Sequence, residues 1–371
     1  MTKKFIIISQ VPLSNKIYID WFIKDLRAIY NKKLEYWFIS DTLKKNNDPF
    51  KLKTNFTKEI KNFEQFDKQI DKLKSFKVIF LSLFPLTKFN ERYIKKIKKK
   101  NFYLIHILWG FIPYDFPDIY ERIKNKIKLY LKKKPLFYKF TFRYYKIFDL
   151  VFYAGDILKK KADYLSDKSV KINLIDFDRY KKNKNNKTQN IAVFLDQALT
   201  CHSDDQSNKK KNHLKYYQSL ENFFKRIEIE FNLKVIIALH PKNWLPNKIF
   251  FKRKVCRNKT AELVSKSDLV LCHTSISISY AILNYKPIVF LHSKLINKYS
   301  DFGEDALIMD SLKRYLNANK IHIDKNICNL RLNFQPNIKL YTKYINNFIA
   351  SRDTLNKSSA NIFLNEILKI K

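Results

Sequence analysis

Glycine is almost absent. Gly110, Gly155 and Gly303 are the three in a chain of 371 residues, and no two stand near enough to form a G-x-G-x-x-G or a G-x-x-x-x-G-K loop. Both glycine-rich phosphate cradles are therefore excluded. Cysteine is scarce and scattered: Cys201, Cys256, Cys272 and Cys328 form no C-x-x-C pair, which points to free thiols in a reducing compartment and away from structural zinc. Long apolar runs are missing as well. The run that follows Lys3 and Lys4 covers only residues 5–8, too short for a signal-peptide core, and no stretch approaches the ~20 apolar residues of a membrane span. The expected location is the cytoplasm. Self-similarity at the roughly 20–50-residue period of a solenoid is also lacking.

Acidic residues are few beside basic ones. Lys plus Arg number 73 and Asp plus Glu 34, a formal net charge of +39, and most of that excess has to lie on the surface because buried charges need partners. In a chain this rich in Lys, Asn, Ile, Phe and Tyr, lysine also fills surface positions by default; about half of the excess is assigned to that. The remainder implies an anionic partner. With 46% hydrophobic residues the chain is too apolar for disorder and long enough for two packed cores.

Short β-branched and aromatic runs alternate with longer amphipathic segments, the pattern of βα units around parallel sheets. Strands are expected at residues 4–9, 35–40, 77–83, 102–108 and 150–154, with helices at 17–30, 58–72 and 91–99. Residues 181–190 contain no apolar side chain and read as a linker. Beyond them the alternation restarts, with strands at 191–195, 234–239, 269–272 and 287–291 and helices at 213–231, 260–265 and 275–283. The expected organisation is an N-terminal domain over 1–180, the linker, a second domain over 191–339 and a helical segment over 340–371.

In open α/β sheets ligands sit outside the carboxyl ends of the strands, so the residues just after each strand are the informative ones. In the second domain they read Asp196-Gln197, then His240-Pro241-Lys242, then His273-Thr274-Ser275-Ile276-Ser277, then His292-Ser293. Proline directly after an apolar strand stops it and holds the His240 imidazole at the tip, where it can donate to a phosphate or protonate a leaving oxygen. Thr274, Ser275 and Ser277 supply hydroxyls at a helix start, which serve either an anion or the helix cap itself. His273 reads as a donor contact or as a satisfied buried histidine, and His202, Asp204 and Asp205 as a metal cluster or a solvated loop.

The ordered set Leu239-His240-Pro241, Ser267-Asp268-Leu269-Val270-Leu271, Thr274-Ser275 and Ala281-Ile282-Leu283-Asn284-Tyr285-Lys286-Pro287-Ile288-Val289-Phe290 resembles the C-terminal domain of GT-B glycosyltransferases that use cytidine-nucleotide donors. Two branches are similar. One is the bacterial sialyltransferases and Kdo-type transferases, with an HP motif and a Ser/Thr phosphate motif. The other is the CDP-glycerol glycerophosphotransferases, with an HP motif and a Ser-Asp-Tyr-Ser-Ser-like segment before a Lys-Pro strand. The resemblance covers residues 190–295, under a third of the chain. It implies an α/β GT-B fold, two Rossmann-like domains facing across a cleft, with a CMP-sugar as substrate and neither cofactor nor metal. It also implies that His240, Ser275 and Ser277 hold the CMP leaving group, with Lys242 adding a point charge. The sialyltransferase general base lies in an Asp-Asp-Gly-type motif, where this chain reads Leu108-Trp109-Gly110-Phe111. Asp115 or Asp196 is then the carboxylate that would deprotonate the acceptor, although Asp196 equally suits a turn cap or a donor hydroxyl.

Between residues 118 and 146, Arg122, Lys124, Lys126, Lys128, Lys132, Lys133 and Lys134 are interleaved with Ile119, Ile123, Ile127 and Leu131 at helical spacing. Such a stripe suits either the anionic inner face of a membrane or a solvated helix on the first-domain core. No nucleic-acid-binding motif appears, and nucleic acid is not an expected partner. The function expected is transfer of a sugar, a nonulosonic acid or Kdo, from a CMP donor to a bacterial surface glycan or glycolipid. Polyol phosphotransfer from a CDP donor is the alternative, and a basic binding protein without catalysis is the third reading.

Overall fold

Nearly continuous apolar runs, such as Phe5-Ile6-Ile7-Ile8 with all four side chains buried, belong to strands covered on both faces, and in parallel sheets both faces are covered by helices. The computed structural model has two such sheets; it describes residues 3–41, 52, 54–73, 76–108, 144–183, 187–200, 213–241, 243, 245–295, 304–325 and 330–370. The first contains β1 (Lys3–Ser9), β2 (Leu34–Ile39), β3 (Thr57–Ile60), β4 (Lys77–Ser82), β5 (Tyr103–Leu108), β6 (Leu150–Ala154) and β7 (Ser169–Ile172). The second contains β8 (Ile191–Leu195), β9 (Lys234–Leu239), β10 (Val255–Arg257), β11 (Leu269–Cys272), β12 (Ile288–His292) and β13 (Asn319–His322).

Strand order is β3-β2-β1-β4-β5-β6-β7 in the first sheet and β10-β9-β8-β11-β12-β13 in the second. Every pairing is parallel. Both are doubly wound sheets in which the first three strands wind one way and the fourth returns to the other side of the first, so the reversal falls between β1 and β4 and between β8 and β11.

Among the described residues, the chain divides into unit 1, residues 3–108, 144–173 and 351–370, and unit 2, residues 174–350. The division thus falls at Asn173 and Leu174, not within 181–190, because the helix Ile175–Asn183 is anchored in unit 2 by Asp176. That carboxylate accepts from Ser279 Oγ at 2.5 Å and Tyr280 Oη at 2.8 Å. The terminal segment is shared. The helix Ile338–Tyr344 and the π-helical turn Ile345–Ile349 belong to unit 2, and the helix Ser359–Leu368 belongs to unit 1. There Phe363 is fully buried, 4.9 Å from the ring of Phe22. That contact also explains why residues 17–30 form two helices, Asn15–Asp20 and Ile23–Tyr30, since Phe22 takes the left-handed conformation between them (φ 57°).

The shortage of glycine has a visible consequence. Asn31, Asn101, Asn232 and Asn317 take positive φ just after helices, the role usually given to glycine and tolerated best by asparagine among the rest. Each unit has its own core. In unit 1 Trp37, Phe66, Phe80 and Tyr93 interlock edge-on; in unit 2 Phe194, Phe224, Leu220 and Ile237 fill the space beneath the helix His213–Phe231. No helix among the described residues is long and apolar enough to cross a membrane.

Candidate functional site

At the reversal point of unit 2, the loops after β8, β9 and β11 are joined by hydrogen bonds. Asp196 follows β8 and is 8% exposed. Its Oδ2 accepts from the backbone N–H of His240 at 3.0 Å and from Nδ2 of Asn243 at 2.8 Å, while Oδ1 accepts from the N–H of Ala198 at 3.1 Å. Burial pushes the Asp196 carboxyl above its ordinary range, and these hydrogen bonds pull it back. The N–H of Asn243 donates to the His240 carbonyl at 2.9 Å, closing the turn that contains Pro241. The Asn243 carbonyl is in turn held by Arg257 Nη1 at 2.9 Å. The His240–Pro241 turn is therefore clamped by a buried carboxylate. Both Asp196 oxygens are engaged in holding this loop.

The adjacent Gln197 spans the reversal point. Its Oε1 accepts from the N–H of Thr274 at 2.7 Å, and its Nε2 donates to Thr274 Oγ1 at 3.4 Å, so one carboxamide ties the tip of β8 to the tip of β11. Ala198 next to it is held at positive φ (52°), a conformation that costs a non-glycine residue about 1 kcal/mol and persists only where the surroundings impose it. Beyond Thr274, Ser275 Oγ accepts from the N–H of Ser277 at 3.2 Å. The helix Ile278–Leu283 follows, and the Ser277 side chain makes no cap hydrogen bond to it.

His273 is not at the ligand edge. It is 1% exposed; Nδ1 donates to the Leu291 carbonyl at 2.5 Å and Nε2 accepts from Tyr216 Oη at 2.7 Å. Burial holds its pKa down to about 4, so the ring is neutral and both nitrogens are spent inside the core. The expectation of a donor contact at His273 is corrected accordingly.

The structure brings Asp196, His240, Pro241 and Thr274 together at one sheet edge, with Ser275 and Ser277 following in the chain. Lys242 and Asp115 lie outside the described residues, as do Arg122, Lys124, Lys126, Lys128, Lys132, Lys133 and Lys134. Gln197, Asn243 and Tyr216 were not foreseen in these roles. Their partners are 77, 47 and 57 residues away in sequence, and nothing local marks them.

No family model matches the chain, and no curated protein matches it. Solved structures do. UGT2 of Phytolacca americana, complexed with UDP-2-fluoro-glucose and pterostilbene, is similar over 99% of this chain and 98% of its own, with 7% identity and a TM-score of 0.50. The fold is GT-B. At that identity the likeness shows the fold alone. The UDP-GlcNAc 2-epimerase of Methanocaldococcus jannaschii matches over the full length of both chains with 13% identity and a TM-score of 0.46. Acinetobacter baumannii MurG matches over 99% of this chain and 100% of its own with 8% identity and a TM-score of 0.43.

Proposed function

We propose that this protein is a glycosyltransferase that binds a nucleotide-activated sugar at the carboxyl edge of the second sheet and passes the sugar to a glycan or glycolipid. The observation that carries the reading is the convergence of Asp196, Gln197, His240 and Thr274 on the β8–β11 reversal point, the place where doubly wound sheets take their ligands. In this reading His240 donates a ring N–H to the departing phosphate, and the hydroxyls of Thr274, Ser275 and Ser277 with the ammonium of Lys242 meet the rest of its charge. The acceptor hydroxyl attacks the anomeric carbon, the bond to the phosphate oxygen breaks, and the configuration inverts. The acceptor proton passes to a carboxylate, for which Asp115 is the candidate now that Asp196 is engaged elsewhere. The reading requires no divalent cation.

The order of the HP turn and the Thr-Ser segment supports a cytidine donor, with CMP as leaving group and a nonulosonic acid or Kdo as the sugar. Uridine is the competing base, because the plant structure of the same fold holds UDP-2-fluoro-glucose. Polyol phosphotransfer needs a second histidine at the site, and His273 is walled in. Titration with CMP, CDP, UDP and GDP, repeated for His240→Ala and Ser275→Ala, tests the reading. Preference for CMP or CDP that both substitutions weaken is the expected result. Preference for UDP would replace the donor class, and failure to bind any of the four would remove the transferase reading.

A further inference from the structure

The carboxyl edge of unit 2 continues past Thr274. Phe290 of β12 pairs with Cys272 of β11, so His292 stands level with Thr274, one strand spacing of about 4.8 Å farther along the sheet. β13 adds the next tip, where His322 pairs in register with His292. Side chains at one register of a parallel pair share a face, and here the two rings meet. Nδ1 lies 2.9 Å from Nδ1, with the ring centres 4.5 Å apart. His292 is 7% exposed, and His322 is exposed. The same tips are tied a second time, because Asp324 accepts from Ser293 Oγ at 2.8 Å and from the N–H of Lys294 at 2.5 Å.

A hydrogen bond between two imidazole nitrogens needs one Nδ1 to donate and the other to accept. The donating ring can take one further proton on its Nε2 with that bond intact, whereas a second would have to enter the accepting Nδ1 and break it. The pair therefore has room for one proton. The charged groups facing it are Lys320 and Lys325 at β13, Asp310 on the helix Glu304–Leu316, and Asp324, with the neutral His273 on β11. Asp310 is bonded to Lys320 at 2.5 Å and Asp324 to the β12 tip, so both carboxylates are engaged. Burial first, and Lys320 after it, holds both rings below their ordinary value, which leaves the pair neutral at about pH 7. An anion arriving beside a neutral pair reverses the balance: its charge favours the protonated form, and binding draws a proton in.

We propose that His292 and His322 form a proton-linked subsite for a second anionic group of the sugar donor, the one bonded next to the phosphate that His240 and Thr274 hold. That group is the second phosphate of a nucleoside diphosphate or the carboxylate of an acidic sugar on a nucleoside monophosphate; both offer oxygens to the same ring N–H groups. The inference rests on the transferase reading and adds the recognition of a second charge to it.

Calorimetric titration of the full chain with CDP-glucose, UDP-glucose and CMP-N-acetylneuraminate, in buffers of different ionisation enthalpy, counts the protons exchanged. None of the three compounds titrates between about pH 6 and 8, so each proton counted there belongs to the protein. The compound that binds takes up roughly half a proton or more near neutrality, and its affinity rises several-fold as pH falls through that range. His322→Gln keeps a hydrogen-bond donor and an acceptor opposite His292 but cannot be protonated. It melts close to the parent, abolishes the uptake and weakens binding by roughly tenfold, the worth of a hydrogen bond to a charged group. Uptake with a diphosphate compound assigns the second phosphate, and uptake with CMP-N-acetylneuraminate assigns the carboxylate. Binding without proton uptake overturns the inference and leaves the transferase reading standing. Uptake that survives in His322→Gln and disappears in His240→Ala overturns it as well, since the proton then belongs to His240. Binding of none of the three compounds overturns both readings together.

Discussion

The two units repeat one topology and use it differently. In each, a glutamine placed just after the first strand spans the point where the winding reverses. Gln197 does so in unit 2 through the backbone and hydroxyl of Thr274. In unit 1, Gln10 Oε1 accepts from Asn90 Nδ2 at 3.1 Å, and Asn90 is itself buried and bound to the Pro85 carbonyl at 2.8 Å. The same winding thus leaves the same gap, and a carboxamide closes it both times. The units part company around that tie. Unit 2 adds a buried carboxylate that clamps a histidine turn at the carboxyl edge, whereas in unit 1 the glutamine's partner is a buried asparagine that closes on its own loop. Shared topology offers positions, and the residues after and before the strands decide which of them become sites.

That contrast can be broken most directly at His240. His240→Ala should lower sugar transfer by roughly 10²–10⁴-fold, the contribution of a positioned acid, while the fold persists; unaltered transfer would remove the histidine from the unit 2 site. Next in size is the clamp. Asp196→Ala leaves the His240 N–H and the Asn243 amide without their acceptor, a loss of about 1–3 kcal/mol for each buried group left unsatisfied. Chemical denaturation should show that loss together with weakened nucleotide binding, whereas Asn90→Ala in unit 1 should destabilise without touching nucleotide affinity.

A pH titration of stability sharpens the comparison further, because each unit buries a histidine held neutral by desolvation, His106 in unit 1 and His273 in unit 2. Burial holds both His106 and His273 down to about 4 from an ordinary 6.5. With the folded value depressed, the unfolded chain takes up protons first as pH falls. Stability should therefore be at its full value above pH 6.5 and decline from there to about pH 4, by about 1.4 kcal/mol per pH unit for each histidine at the steepest. Denaturation midpoints measured across that window should show a shallower slope for His106→Gln and for His273→Gln than for the parent. The smallest effect belongs to the tie itself. Gln197→Ala should change nucleotide affinity only several-fold and stability by about 1 kcal/mol, as read by isothermal titration and thermal melting.

Much of unit 2 was legible in the residues. The strands at 191–195, 234–239 and 269–272 and the helix at 213–231 coincide with β8, β9, β11 and the helix His213–Phe231, because each is an unbroken apolar run or a clear helical stripe bounded by polar residues. The edge strands β3, β7, β10 and β13 were not foreseen. Thr57-Lys58-Glu59-Ile60 and Asn319-Lys320-Ile321-His322 bury little, so neither an apolar run nor an alternation announces them. Of the site, His240-Pro241 and Thr274 were readable from their place after apolar strands. The true setting of His273 was not, since it depends on Tyr216 and Leu291 arriving from a helix and a neighbouring strand.

By itself the sequence determined what local chemistry can determine: parallel α/β architecture from buried runs, the absence of a glycine-rich phosphate loop, a proline that halts β9 at His240, and a surplus of positive charge. Only the tertiary structure decided that Asp196 holds a loop, that Gln197 bridges two strand tips and that the helix Ser359–Leu368 returns to unit 1. Each of these is a relation between residues far apart in the chain. Periodicity and turn chemistry report on neighbours a few positions away, whereas a hydrogen bond across a sheet is set by strand order and register, which exist only once the whole unit has packed.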